Sequence, residues 1–393
     1  MVPLSGLILY NSAYFLFLLK KYENRVDSVD HQALISRFRS SEPIICSEQV
    51  ISFFSLLTER SEHFFFRRFS GAGERVGLLD AFHNRAIDLT LMSIESYLGN
   101  PDLDLDFIIA PLTMQEVPEL YRCAHGRGIP VVPLTFNTWE SKITQRLVFK
   151  QLGLDLFIVP SIYIPSLRSM SSEDHHQVGT WLETVFKPIS THIFVKEDVG
   201  FHSGAAVPYY FGPVDQFENL LKNYLNQDIS LIVEPLVWDS GEQGHVTRIF
   251  KTHAFGSLVE GEVLVYDVQW LKNTGKFDNK AIKIIQQSSL ATYPPGFPVE
   301  EINRFVKEFM PLNMMSLDFV YCSAEDTYWC IDINHSCGSW GEVQETDQVL
   351  ENTIFDVLIQ NLVGQPKDRL IQTYYDLKAK TMPSKKVLTL IRG

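Results

Sequence analysis

Cysteine is scarce in this chain. Five residues in 393 (Cys46, Cys123, Cys322, Cys330 and Cys337) form no C-x-x-C pair. That leaves neither a disulfide framework nor a cysteine zinc site, and the odd count fits the reduced thiols of a cytoplasmic protein. Positive charge is also short, with 34 Lys and Arg against 47 Asp and Glu and a formal net charge of −13. Nucleic acid is thereby excluded as the main partner, because a phosphate backbone needs a basic face. A small anion needs only a local basic site and is not excluded. No apolar run is long enough to span a bilayer. The longest early one, Tyr14 to Leu19, has no basic stretch before it and no small-residue cleavage site after it, so neither a signal peptide nor a membrane anchor is expected. Repeats and low-complexity segments are missing too. What remains is ordinary globular material, 45% hydrophobic and 21% charged, of a length that suits two or three domains.

The most telling stretch that is present runs from Met314 to Asn334. An apolar run from Met314 to Tyr321 contains Asp318. A polar turn, Ser323 to Asp326, separates it from a second strand-like run, Tyr328 to Ile333. The pattern predicts a β-hairpin. It sets Asp318 beside Asp332 and Asn334, which are two apart and share a face. Asp and Asn near a turn are commonly caps. Three oxygen donors converging on one face instead suit Mg²⁺, a hard cation that in an open site accompanies nucleotide phosphate.

Upstream, His192 to Lys196 reads as a short buried strand ending in a lysine. Gly200, Ser203 and Gly204 follow in a loop before the next strand-like run. Glycines let backbone N–H groups close on an anion, Ser203 adds a hydroxyl donor, and Lys196 adds a point charge. A plain turn with a solvated lysine is the simpler alternative. Ser230 to Val237 is a strand broken by Glu234 and Pro235. The proline removes a ladder donor, leaving Glu234 and the Val237 backbone available to a purine edge.

Taken in order, Glu140-Ser141-Lys142, Ile193 to Lys196, Gly200 to Gly204, Leu231 to Val237, Leu317-Asp318 and Ile331 to Asn334 resemble the ATP-grasp superfamily, and their spacing is similar to that of D-alanine–D-alanine ligase and its relatives. No single motif is specific; the ordered set over about 140 to 340 is. The resemblance implies an α/β (α+β) ATP-grasp fold, with an open parallel-sheet domain at 1–136 and two ATP-grasp lobes at 137–233 and 234–393 holding the nucleotide between them. It implies ATP and Mg²⁺, or Mn²⁺ in its place, as cofactors. Lys142 and Lys196 then meet phosphate, Gly200, Ser203 and Gly204 close over it, and Glu234 and Val237 take adenine. Glu242 takes ribose, Asp318, Asp332 and Asn334 hold the metal, and Arg248 faces the γ-phosphate or an acyl phosphate.

The implied activity is carboxylate–amine ligation through an acyl phosphate, on amino acids or small peptides. The implied partners are ATP and small carboxylate and amine substrates, with no nucleic acid, no membrane and a homodimer as the assembly. Phosphoryl transfer to another acceptor and non-catalytic nucleotide binding stay open as alternatives. Two departures stand out. Ser316 occupies the position where the D-alanine ligase branch carries arginine, and Asp332 stands where many members carry glutamate.

Overall fold

A computed structural model of the chain describes residues 4–10, 12–22, 28–61, 78–110, 117–132, 141–198, 210–217, 228–237, 246–255, 263–270, 282–311, 314–334, 359–380 and 387–392. Among these residues, helices pack against three five-stranded sheets. The first sheet holds β1 (Ser5–Tyr10), β2 (Ile44–Ile45), β3 (Asp88–Ser93), β4 (Phe107–Ile109) and β5 (Val131–Val132), in the order β2-β3-β1-β4-β5. All of its pairings are parallel except that of β2. Leu7 through Tyr10 are all buried, as a parallel strand covered on both faces requires. They divide with period two, Leu7 and Leu9 into one core and Ile8 and Tyr10 into another. Gly6 lies opposite Phe107 in the ladder, and a Cβ there would come within 2.3 Å of the ring, so glycine is what allows β4 to close on β1.

The sequence pattern predicts strands at Leu7–Tyr10, Pro43–Cys46, Phe107–Ala110 and Val131–Leu134, and β1, β2, β4 and β5 overlap these four. β3 is an addition, and it lies between β1 and β2.

The second sheet contains β6 (Ser161–Ile164), β7 (His192–Glu197), β8 (Tyr210–Pro213), β9 (Leu231–Pro235) and β15 (Thr389–Ile391), in the order β15-β6-β9-β7-β8. The third contains β10 (Val246–Phe255), β11 (Val263–Trp270), β12 (Ile282–Leu290), β13 (Met314–Cys322) and β14 (Thr327–Asn334), in the order β12-β11-β10-β13-β14. Both are antiparallel throughout. The helix Lys142–Gln151 leads into the second sheet. Ser141 caps its start by accepting from the Thr144 N–H. Gly153, at φ +69°, ends it, with the Leu154 N–H reaching back to the Phe149 carbonyl. The helix Ser172–Trp181 begins with a Ser171–Asp174 capping box, and His176 is exposed.

The chain end departs from the expected division. β15 pairs with β6, so it returns to the second sheet rather than completing the third. The preceding helix, Lys367–Lys380, lies against the first domain, where Tyr374 stacks on Tyr121 with ring centroids 4.6 Å apart. No helix of the described residues is long and apolar enough to cross a membrane.

His125 is buried in that aromatic seam beside Tyr121, Tyr374 and Tyr375. Among the described residues neither ring nitrogen has a hydrogen-bond partner. Burial pushes its pKa down to about 4. The unfolded chain takes up this proton near pH 6.5 and the folded protein does not, so stability falls as pH drops from 6.5 towards 4. His125→Phe keeps the ring contacts and should remove on the order of 3 kcal/mol of that loss. Urea titrations of both proteins at pH 7 and pH 4.5 would measure the difference.

Candidate active site

The β13–β14 hairpin forms as its alternation requires, with one irregularity. Asp318 stands directly opposite Asp332, and Ser316 opposite Asn334. The register slips between Asp318 and Phe319, leaving Ile331 as the extra residue of a bulge. Its carbonyl turns to the facing sheet, where it accepts from Arg146 Nη2 at 2.7 Å and Lys196 Nζ at 3.1 Å.

The helix Lys142–Gln151 supplies one side of this meeting point. Residues at i, i+3 and i+4 share a helix face. Accordingly Lys142 pairs with Asp332, Gln145 Nε2 donates to the Ile333 carbonyl at 3.1 Å, and Arg146 reaches Ile331. The start of this helix is tied to the end of β7. The Asp198 carboxylate accepts from Ser141 Oγ at 2.9 Å and from the Ile143 N–H at 2.9 Å, and the Lys142 N–H donates to the Asp198 carbonyl at 3.0 Å. Burial raises the Asp198 pKa against those two hydrogen bonds.

Deeper still lies Glu234 on β9. One oxygen accepts from Arg146 at 2.7 Å and from Ser161 Oγ at 3.2 Å, and the other meets Lys196 Nζ at 3.0 Å. The Glu234 and Arg146 side chains are each 3% exposed. Burial alone would raise the pKa of Glu234, but Lys196 and Arg146 together hold it below the usual carboxylate range. Burial acts on Lys196 in the other direction and lowers its pKa despite Glu234.

Lys142, Lys196, Glu234, Asp318 and Asp332 thus come together between the second and third sheets. Glu234 stands as the anion of two buried cations. Val237 lies just past β9, its carbonyl accepting from Thr247 Oγ1 at 2.6 Å. It borders a pocket of about 160 Å³ together with Arg248, Phe250, Val320 and Tyr328. Arg248 does not join the carboxylates. The unbroken β10–β13 register sets Lys251, not Arg248, opposite Asp318, so Arg248 lies on the other sheet face. There it makes a two-pronged pair with Asp267 at 2.7 and 2.9 Å. Gly200, Ser203, Gly204 and Glu242 lie outside the described residues, as does the side chain of Asn334.

Arg146, Asp198, Lys251 and His253 belong to this region and are not among the expected site residues. Arg146 carries a sequence signal, its i+4 spacing from Lys142. Lys251 and His253 carry none, because only the strand pairing shows which neighbours they meet. His253 is buried opposite Ser316, and burial, with Lys251 nearby, pushes its pKa down to about 4.

Among the described residues no three His, Cys, Asp or Glu side chains gather. The donors present still fit Mg²⁺, which takes one or two protein carboxylates and completes its shell with phosphate oxygens and water. Asp318 and Asp332, paired on one face, would be those two, with Asn334 next along β14.

No family model matches the chain, and no curated protein matches it. Among solved structures it is similar to D-alanine–D-alanine ligase from Bacillus anthracis, at 10% identity over 94% of this chain and 99% of that one, with a TM-score of 0.49. It is also similar to the VanG D-Ala:D-Ser ligase from Enterococcus faecalis, at 12% identity over 92% and 99%, TM-score 0.44. A third is a RimK domain ATP-grasp protein from Sphaerobacter thermophilus, at 10% identity over 74% and 97%, TM-score 0.44.

Removing one member of a buried charge cluster leaves the others unpaired. Glu234→Gln should therefore destabilise the fold by about 3–5 kcal/mol, from Arg146 and Lys196 together. The urea midpoint would fall accordingly; an unchanged midpoint would mean that the cluster is not buried as described.

Proposed function

We propose that the chain is an ATP-dependent carboxylate–amine ligase of the ATP-grasp type. The observation that carries this reading is the pair Asp318 and Asp332, directly opposed on one sheet face, met from the facing lobe by Lys142 with Lys196 just behind. Carboxylates and lysines gathered in one cleft suit a nucleotide polyphosphate and its metal.

In this reading a substrate carboxylate attacks the γ-phosphorus of ATP. The bond to the β-phosphate oxygen breaks, ADP leaves and an acyl phosphate forms. An amine then attacks the acyl carbon and gives up a proton, and phosphate leaves with the new amide in place. Bound Mg²⁺ supplies charge neutralisation on the phosphate oxygens. Lys142 and Lys196 bind and orient those oxygens, and Glu234 with Arg146 fixes where the Lys196 ammonium sits. The Asp198 clamp fixes the first turn of the Lys142 helix. The adenine end lies towards the backbone of Val237, just past β9, as the resemblance implies. Amino acids or short peptides are the proposed substrates and the cytoplasm the proposed location.

The test is Mg²⁺-dependent phosphate release from ATP against pooled amino acids, with the amide product followed by mass spectrometry. Asp332→Ala should lower the rate on the order of 10²–10³-fold, the scale of losing one electrostatic contact to the transition state. Phosphate appearing on an acceptor, with no free phosphate and no amide, would replace ligation by phosphoryl transfer. A rate indifferent to Asp332 would remove the site altogether.

A further inference from the structure

The charged groups of the cleft fall into two sets that differ in depth. Glu234 and Arg146, each 3% exposed, form the deep set, and Lys196, at 10%, joins them through Glu234 and the Ile331 carbonyl. The shallow set is a row across the third sheet and beyond it. Lys251, Asp318 and Asp332 are register partners on β10, β13 and β14, and Lys142 reaches the far end of the row from the helix Lys142–Gln151, on the side of the second sheet. The order of charge is plus, minus, minus, plus. All four side chains are similarly placed, 12% to 16% exposed.

Two carboxylates side by side at this depth repel one another unless cations flank them. The lysines provide that. Lys251 Nζ lies 3.7 Å from Asp318 and 5.6 Å from the centre of the Tyr266 ring. A lysine carries a point charge on a flexible stem and gives up one partner for another more readily than a forked arginine does. The charge also balances, because one divalent cation replaces two ammonium groups.

We propose that Lys142 and Lys251 are exchangeable partners of Asp332 and Asp318, which they yield to the divalent cation brought by the nucleotide, each ammonium then passing to phosphate oxygens. The handover to phosphate rests on the nucleotide reading above; the competition between lysine and metal does not. Two consequences have opposite signs. Each lysine weakens the binding of a metal ion alone, and each strengthens the binding of nucleotide alone. Lys251 thereby takes the place at the phosphates that the family resemblance assigns to Arg248.

The experiment measures Mn²⁺ alone by the loss of its free-ion electron spin resonance signal, and ADP in chelator by calorimetry. Both are run on the unaltered protein, Lys142→Met, Lys251→Met and Lys251→Gln, with melting curves to record folding. Each methionine variant should bind Mn²⁺ roughly tenfold more tightly and ADP roughly tenfold more weakly, tenfold being about 1.4 kcal/mol. Lys251→Gln keeps a donor towards Asp318 without the charge, and should follow Lys251→Met in direction. Should the variants not fold, amine labelling of the unaltered protein replaces them: millimolar Mn²⁺ should raise the labelling rates of Lys142 and Lys251 several-fold. Normal ADP binding with unchanged or weaker Mn²⁺ binding in the folded variants, or labelling rates indifferent to Mn²⁺, would overturn the exchange and leave the nucleotide reading intact. No ADP binding by the unaltered protein would overturn the nucleotide reading, and the handover with it.

Discussion

The cleft depends on the anion of Glu234. It is buried beyond the reach of water and meets two cations, Arg146 from a helix and Lys196 from the neighbouring strand. Burying a charge without a partner costs several kcal/mol, so these three groups must stay together. Both cations also donate to the Ile331 carbonyl on the third sheet. The same contacts that neutralise Glu234 therefore tie the two sheets to each other. A β-bulge makes this possible, since the extra residue on β14 turns its carbonyl towards the second sheet.

Around this fixed centre the remaining charges are arranged by depth. Charges nearly out of water, such as Arg146 and Glu234, are set in geometry. Charges at the cleft wall, such as Lys251 and Asp318, keep some solvent. The same side-chain chemistry thus serves two ends, a rigid support below and an exchangeable layer above. Asp198 joins Lys142 and Lys196 into one unit, because it follows the strand of Lys196 and caps the helix that opens with Lys142. A displacement of either lysine relative to the other would have to break those hydrogen bonds.

Much of this arrangement is legible in the residues alone. The hairpin of Asp318 and Asp332 follows from alternation and a polar turn. Those are local properties, encoded within a dozen neighbouring residues. Arg248 shows where local reasoning stops. Its strand is recognisable, but a one-residue difference in register decides which sheet face a side chain takes, and β10 is registered against β13 from nearly seventy residues away. Lys251 escapes notice for the same reason. The terminal strand is recognisable too, while its partner, β6, lies more than two hundred residues earlier.

By itself, then, the sequence determined the kinds of element, the residues able to carry phosphate and metal chemistry, and the order in which they occur. Periodicity, capping and turn chemistry act over short stretches and leave their mark in the residues themselves. Only the tertiary structure decided which of those residues meet. Burial made Glu234 the partner of Arg146 and Lys196, the β10–β13 register gave Asp318 to Lys251 and sent Arg248 to Asp267, and a single bulge aimed the Ile331 carbonyl across the cleft. These outcomes come from desolvation and strand pairing between distant segments, and such energies exist only once the segments are packed together.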